Sequence, residues 1–244
     1  KFLGLDAPAL LKTLDSTLPA RGAGDAIHPG AAQWVLGAHP KLKYRGNELK
    51  RRKIWLQDGP VEDGVRVYSY TGFTWPIALA TSDWNESEKL TAASEKLSAA
   101  LEALGAPKVN HAIVTAYDGA SHNIGFHFDK ARSLHKEGWI AVLKLGPASR
   151  PFAVRPRVAR EQAKEPCVFH EVVPAGTLIL MSMAANLATQ HAVPVVENEE
   201  VGLSGSIVWR NVKTVLSQAG LARKIASTER GIARREAAKK RKRA

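Results

Sequence analysis

Between residues 112 and 212 the chain divides into eight short runs rich in β-branched and aromatic residues, at 112–117, 124–128, 139–145, 152–158, 168–173, 177–181, 191–195 and 206–212, punctuated by Gly and Pro turns. Short strands in such number bury their apolar faces only by closing on one another, which predicts a sandwich or barrel. Helix comes first. Residues 87–104 start from a capping Ser87, carry Leu90, Ala93, Leu97, Leu101 and Leu104 as one apolar stripe, and stop at Gly105-Ala106-Pro107. Residues 6–18 place Leu10, Leu11, Leu14 and Leu18 on one face, with Asp6 as N-cap and Pro8 tolerated in the first turn, and residues 28–37 add another turn. The expected class is α+β, mainly β, with N-terminal helices.

A chain of 244 residues, 45% of them apolar, can bury one sizeable core. One domain over residues 1–221 is expected, with an extension at 1–67, the β core at 110–213, and a basic tail, helical then disordered, at 222–244. No apolar run approaches the roughly 20 residues needed to cross a bilayer; residues 177–188 come nearest, and Ser182 and Asn186 interrupt them. The expectation is a monomer with no membrane partner. A lone Cys167 excludes an internal disulfide and fits a reducing compartment, so an intracellular protein is expected, nuclear or cytoplasmic. The start at Lys1 leaves an organellar leader open.

The chemistry concentrates in YDGASHNIGFHFDK, residues 117–130, where His127 and Asp129 stand two apart on an expected strand. Side chains at i and i+2 share a face, so an imidazole and a carboxylate can grip one metal ion from one side. His191 is the best third ligand, with His170 as its rival. Two neutral imidazoles and one carboxylate make the facial triad that holds Fe(II) with positions open for other ligands. Arg210 ends the final β-branched run, SGSIVWR.

The order of these segments resembles the AlkB-type Fe(II)/2-oxoglutarate dioxygenases, which remove alkyl groups from nucleic-acid bases by hydroxylation. The resemblance is carried by Tyr68-Ser69-Tyr70-Thr71-Gly72 with Trp75-Pro76, residues 110–130, residues 140–155, residues 175–181, His191-Ala192-Val193-Pro194 and residues 204–210. It implies a double-stranded β-helix, or jelly-roll, core. It further implies that His127, Asp129 and His191 are the catalytic iron ligands, that 2-oxoglutarate is the co-substrate, and that Arg210, with Tyr117 and Ser206, fixes a co-substrate carboxylate. One departure matters: the family has two arginines six residues apart on its last strand, and the first position here is Ser204. Losing one charge-assisted partner costs about 1.5–3 kcal/mol, roughly ten- to a hundred-and-fifty-fold in affinity. The loss fits another arginine, such as Arg150 or Arg155, taking over, a different co-substrate, or a protein that has given up catalysis.

The formal net charge of +12 lies in two patches. Residues 222–244 hold ten Lys or Arg against two Glu, and residues 41–53 hold seven against Glu48. The second patch, with Lys50, Arg51, Arg52 and Lys53, runs into Trp55 and on to Tyr68 and Tyr70, so charge alternates with rings. Cations hold phosphates and rings stack on bases, worth roughly 1–3 kcal/mol per base. The partner implied is DNA or RNA, and by resemblance residues 55–70 form a lid over a flipped base. The expected reaction is oxidative demethylation or hydroxylation of a modified base. The alternatives are a C5-methylpyrimidine or protein hydroxylase, and a non-catalytic nucleic-acid or ribonucleoprotein component that kept the fold.

Overall fold

The computed structural model describes residues 3–15, 43–44, 47–48, 51–59, 65–66, 82–84, 87–157, 166–197, 202–213, 215–216 and 218–241, some of them, including Leu14, Arg52, Ile54 and Trp55, by backbone alone. Helix α1 (Ala7–Asp15) opens with the Asp6 carboxylate accepting from the Ala9 amide at 3.3 Å. Helix α2 (Glu88–Glu102) is capped by Ser87, whose hydroxyl accepts from the Leu90 amide. Both caps satisfy first-turn N–H groups that have no intrahelical acceptor. Leu90, Ala93, Leu97 and Leu101 are buried as the spacing predicts. Leu104 is not: it is 57% exposed, because the helix has ended and the chain turns through Gly105 at φ +75°.

Several short strands flank the core. β1 (Lys43–Tyr44) pairs with β2 (Asn47–Glu48), and β4 (Val65–Arg66) pairs with a late strand, β14 (Val215–Leu216). The core strands are β3 (Arg52–Gln57), β5 (Ser82–Asp83), β6 (His111–Tyr117), β7 (Ile124–His127), β8 (Trp139–Leu145), β9 (Arg150–Pro156), β10 (Phe169–Val173), β11 (Leu178–Ser182), β12 (Thr189–Val193) and β13 (Ser204–Arg210). They build a six-stranded sheet, β11-β8-β13-β6-β3-β5, and a four-stranded sheet, β10-β9-β12-β7. All pairs are antiparallel except β3 with β5. From β6 to β13 the strands alternate between the sheets in the jelly-roll manner, apart from the β9–β10 hairpin within the smaller one. The larger sheet also draws in β3, so residues before 110 contribute to the core.

Alternation along each strand separates two interiors. One face of the large sheet, with Ala112, Val114, Ala116, Ala141, Leu143, Leu145, Ile207 and Trp209, packs on α1 and α2 as the main apolar core. Trp209 satisfies its indole by donating to Ser94 Oγ at 3.0 Å. Leu11 from α1 is fully buried there because the sheet offers glycine beneath it. A Cβ at Gly205 would lie 2.6 Å from the Thr115 carbonyl oxygen, and one at Gly146 (φ +90°) 2.6 Å from Leu11 itself. The opposite face looks into the barrel, where Tyr117 joins Phe152, Val173 and Val193 of the small sheet in a second apolar cluster.

Two elements differ from the sequence expectation. Residues 183–188 form a short helix, α3 (Met183–Ala188), started by Ser182 Oγ accepting from the Ala185 amide at 3.1 Å. The tail is helical further than expected, as α4 (Gln218–Arg241). The expected turn at 28–37 and Leu18 lie outside the described residues. Among those described, no helix is long and apolar enough to cross a membrane.

Candidate metal centre

His127 ends β7 and His191 sits in β12 directly opposite it, in register. Their rings lie 4.3 Å apart between centroids, tilted by 55°, and Phe152 stacks behind His191 at 5.9 Å. Asp129 follows two residues beyond His127, with its Oδ1 3.9 Å from His127 Nε2. The ligand atoms of His127, Asp129 and His191 all lie within 4.8 Å of one another, as one metal ion requires. The expected triad is thus brought together. His170, the rival ligand, stands exposed on β10, away from this cluster.

Each ligand is held by a further interaction. His127 Nδ1 lies 2.9 Å from the Gly125 carbonyl. A carbonyl can only accept, so Nδ1 carries the proton and Nε2 keeps its lone pair for a metal. Asp129 is gripped through its backbone by Asn186 of α3: its amide donates to Asn186 Oδ1 at 2.8 Å, and its carbonyl accepts from Asn186 Nδ2 at 2.7 Å. Asn186 is fully buried and adopts this role only because residues 183–188 are helical. It was missed from sequence, although a polar residue interrupting an apolar run was the available signal.

Electrostatics favour metal binding. Desolvation, then the neighbouring His191, pushes the His127 pKa down to about 3 against the opposing pull of Asp129. Desolvation also lowers His191, again against Asp129. Both imidazoles are therefore neutral at ordinary pH, the form that ligates. His191 Nδ1 is buried with no hydrogen-bond partner among the described residues. A buried acceptor or donor in that state costs stability unless something pairs with it. Two imidazoles and a carboxylate suit a divalent transition metal with open positions, and these three residues fit an Fe(II) site.

The remaining expected residues divide. Arg210 enters the barrel and pairs with Asp129 Oδ2 at 3.0 Å. Ser204 and Ser206 are buried on the same face of β13, and Tyr117 on β6 lies opposite Ser204. Arg150, at the start of β9, crosses to Ser204 and donates Nε to its hydroxyl at 2.6 Å, with its guanidinium 5.6 Å from the centre of the Tyr117 ring. Positive charge thus lies against Ser204, the position where the resemblance would put an arginine. Arg155 instead stacks on Phe126 at 4.1 Å and bonds Gln190 at 3.0 Å.

The basic stripe is only partly an outward surface. Lys53 is buried on β3, and its charge is felt at His127. Arg51 is also buried and donates to the Asn123 carbonyl at 3.0 Å. These two side chains face the interior because the pleat that turns Leu56 towards the helices turns Lys53 and Gln57 the other way. Lys50, Tyr68 and Tyr70, with the side chains of Arg52 and Trp55, lie outside the described structure.

No protein-family model matches the chain, and no curated protein matches it. Among solved structures it is similar to an oxidoreductase of the 2OG-Fe(II) oxygenase family from Burkholderia pseudomallei (14% identity, 73% of each chain, TM-score 0.42). A bsmA homologue from Methylobium petroleophilum PM1 gives 13% identity over 66% of this chain and 71% of that one, with TM-score 0.42. A prolyl hydroxylase from Trichoplax adhaerens, in complex with a hypoxia inducible factor peptide fragment, gives 14% identity over 56% and 61%, with TM-score 0.34.

Proposed function

We propose that this chain is an Fe(II)- and 2-oxoglutarate-dependent oxygenase of the AlkB-like type, acting on modified bases in nucleic acid. The carrying observation is the convergence of His127, Asp129 and His191 at the mouth of a jelly roll, with ligand atoms within 4.8 Å of one another. When bound, Fe(II) with 2-oxoglutarate and oxygen supplies the oxidising chemistry: one oxygen atom leaves in succinate, released with carbon dioxide, and the other enters a substrate C–H bond.

The chain's own residues supply orientation and a dry site. His127 and His191 offer neutral imidazoles. Asp129 offers Oδ1, because Arg210 occupies Oδ2 at 3.0 Å and biases the carboxylate towards one-oxygen ligation. Tyr117, Phe152, Val173 and Val193 pack as an apolar cluster inside the barrel and would keep water from that side of the site. Ser204, Ser206, Tyr117 and Arg210 line the co-substrate side, and Arg150 restores the charge absent at position 204.

Nucleic acid as the substrate rests on the ordered motifs shared with the AlkB-type enzymes and on the basic tail, whose described side chains on α4 are largely exposed. A methyl group on a ring nitrogen would become a hydroxymethyl group and leave as formaldehyde. A C5-methyl group would remain as a stable hydroxymethyl base.

The test is mass spectrometry of an oligonucleotide pool bearing N-methylated and C5-methylated bases, incubated with the protein, Fe(II), ascorbate and 2-oxoglutarate in air. The expected result is loss of a methyl mass or gain of one oxygen, with matching succinate, absent in Asp129→Ala. Succinate without base modification would redirect the substrate to a protein side chain. Neither product would leave a non-catalytic nucleic-acid binder.

A further inference from the structure

Lys144 is a lysine in the middle of an apolar strand, IAVLKLG, and it is 1% exposed. Its neighbours Leu143 and Leu145 belong to the core under the helices, so the pleat sends Lys144 to the barrel side. There it stands beside Ser206 of β13, which in turn stands beside Thr115 of β6 and then Lys53 of β3. This row across four strands is wholly polar and buried. The row next to it towards Arg210, with Val142, Val208 and Ile113, is apolar.

Among the described residues Lys144 Nζ has no hydrogen-bond partner, and no carboxylate lies within ion-pair distance of it. A charge that acts on it is another cation, Arg150. Arg150 feels the Tyr117 hydroxyl and the Asp118 carboxylate, whereas Lys144 is buried with no counter-charge among the described residues. Burying an ammonium in that state is costly, and an anion bound beside it offsets the cost. The two cations are not equivalent. Arg150 spends its donors on the protein, Nε on Ser204 Oγ, one terminal nitrogen on the His122 carbonyl at 2.9 Å, and the other on the Gly119 carbonyl. Lys144 keeps all three ammonium protons for a ligand.

We propose that Lys144 is the anchor for the distal carboxylate of the co-substrate, with Arg150 as a positioning residue that fixes the loop at 118–123 and keeps the pocket positive. This rests on the oxygenase reading above and replaces the arginine that the final strand lacks at Ser204. The hydroxyls of Ser206 and Thr115 flank the carboxylate. Ser206, beside Lys144, is four residues from Arg210, about 13 Å along β13, so Lys144 and Arg210 enter the barrel from separate places along the strand and their long side chains can approach a short diacid from its two ends. Arg210, paired with Asp129, marks the metal end and Lys144 the far end.

The test is an anaerobic titration of the Fe(II)-loaded full chain with two ligands, followed by absorbance and calorimetry. One ligand is 2-oxoglutarate; the other is 2-oxopentanoate, in which a methyl group replaces the distal carboxylate. The unmutated protein should bind 2-oxoglutarate at least tenfold more tightly. Lys144→Met should weaken 2-oxoglutarate roughly ten- to a hundred-and-fifty-fold and leave 2-oxopentanoate within about twofold. Equal affinity for the two ligands in the unmutated protein would overturn the proposal without recourse to any variant. So would unchanged 2-oxoglutarate affinity in a folded Lys144→Met protein, while leaving the oxygenase reading standing. If neither ligand binds the unmutated protein with metal in place, the oxygenase reading itself fails and takes the anchor with it.

Discussion

Arg210 Nη2 lies 3.0 Å from Asp129 Oδ2, and both side chains are buried. The last strand of the jelly roll therefore reaches across the barrel to hold a metal ligand by its second oxygen. Asp129 is fixed from two directions, by this ion pair at its carboxylate and by Asn186 at its backbone.

Arg210→Met would leave a buried carboxylate without its cation, a change that typically costs about 3–5 kcal/mol. The metal-free protein should lose most of this, and saturating Mn(II), which restores positive charge beside Asp129, should return part of it. Thermal unfolding with and without Mn(II) measures the difference. Equal losses in both states would show that the pair does not support the metal ligand.

Asn186→Ala should weaken metal binding about 10- to 100-fold, the usual effect of removing an orienting group behind a ligand. Calorimetric titration with Mn(II) reads this directly. Asn186→Asp loses the Nδ2 donor to the Asp129 carbonyl and adds a negative charge, so it should not rescue affinity.

Desolvation, and then Arg150, pushes the Lys144 pKa down from 10.5 to about 8. Between those values the unfolded chain binds more protons than the folded one, so stability rises with pH across that window. The metal-free protein should gain in Tm from pH 8 to 10 relative to Lys144→Met, and at pH 7 the variant should be the more stable of the two. A variant with the same pH profile as the unmutated protein would contradict the burial of a charged ammonium.

His127, held down to about 3, is already deprotonated at pH 6. The unfolded chain, with histidine near 6.5, binds the extra proton below that pH, so acid from pH 6.5 towards 3 removes stability. Metal binding at pH 6 should release little proton from the two imidazoles. Calorimetry in buffers of different ionisation enthalpy would reveal release of about 1.5 protons per metal if both imidazoles kept the ordinary value of 6.5.

Removing residues 222–244 should weaken binding to a single-stranded oligonucleotide and flatten its salt dependence, by about 0.7 in the log–log slope for each phosphate that the tail neutralises. The metal-binding constant should be unaffected. Fluorescence anisotropy across a salt series tests both the partner class and the role of the tail.

Much of the site was legible in the sequence because it is local. The spacing of His127 and Asp129 keeps the two close in the chain, although β7 stops at His127 and Asn186 rather than strand alternation holds Asp129 in place, and the parity of Ser204, Ser206 and Arg210 carries three side chains to one interior. Capping and stripe positions likewise placed α2 from Ser87 to its end within two residues of the expected stop. Leu104 escaped the pattern because periodicity continues past the point where Gly105 turns the chain.

What sequence could not decide was which strands become neighbours. Strand pairing joins residues far apart in the chain, and only that pairing sets His191 opposite His127, Arg150 against Ser204, and Lys144 beside Ser206. Lys53 makes the same point in reverse: beside aromatic rings it reads as a phosphate-binding side chain, yet pairing β3 with β6 turns it into the barrel. The sequence by itself determined the residue types and local spacings of the metal site, since these follow from backbone geometry within a few residues. Tertiary structure alone decided which groups surround each buried cation, and the energy of a charge depends on those neighbours in space.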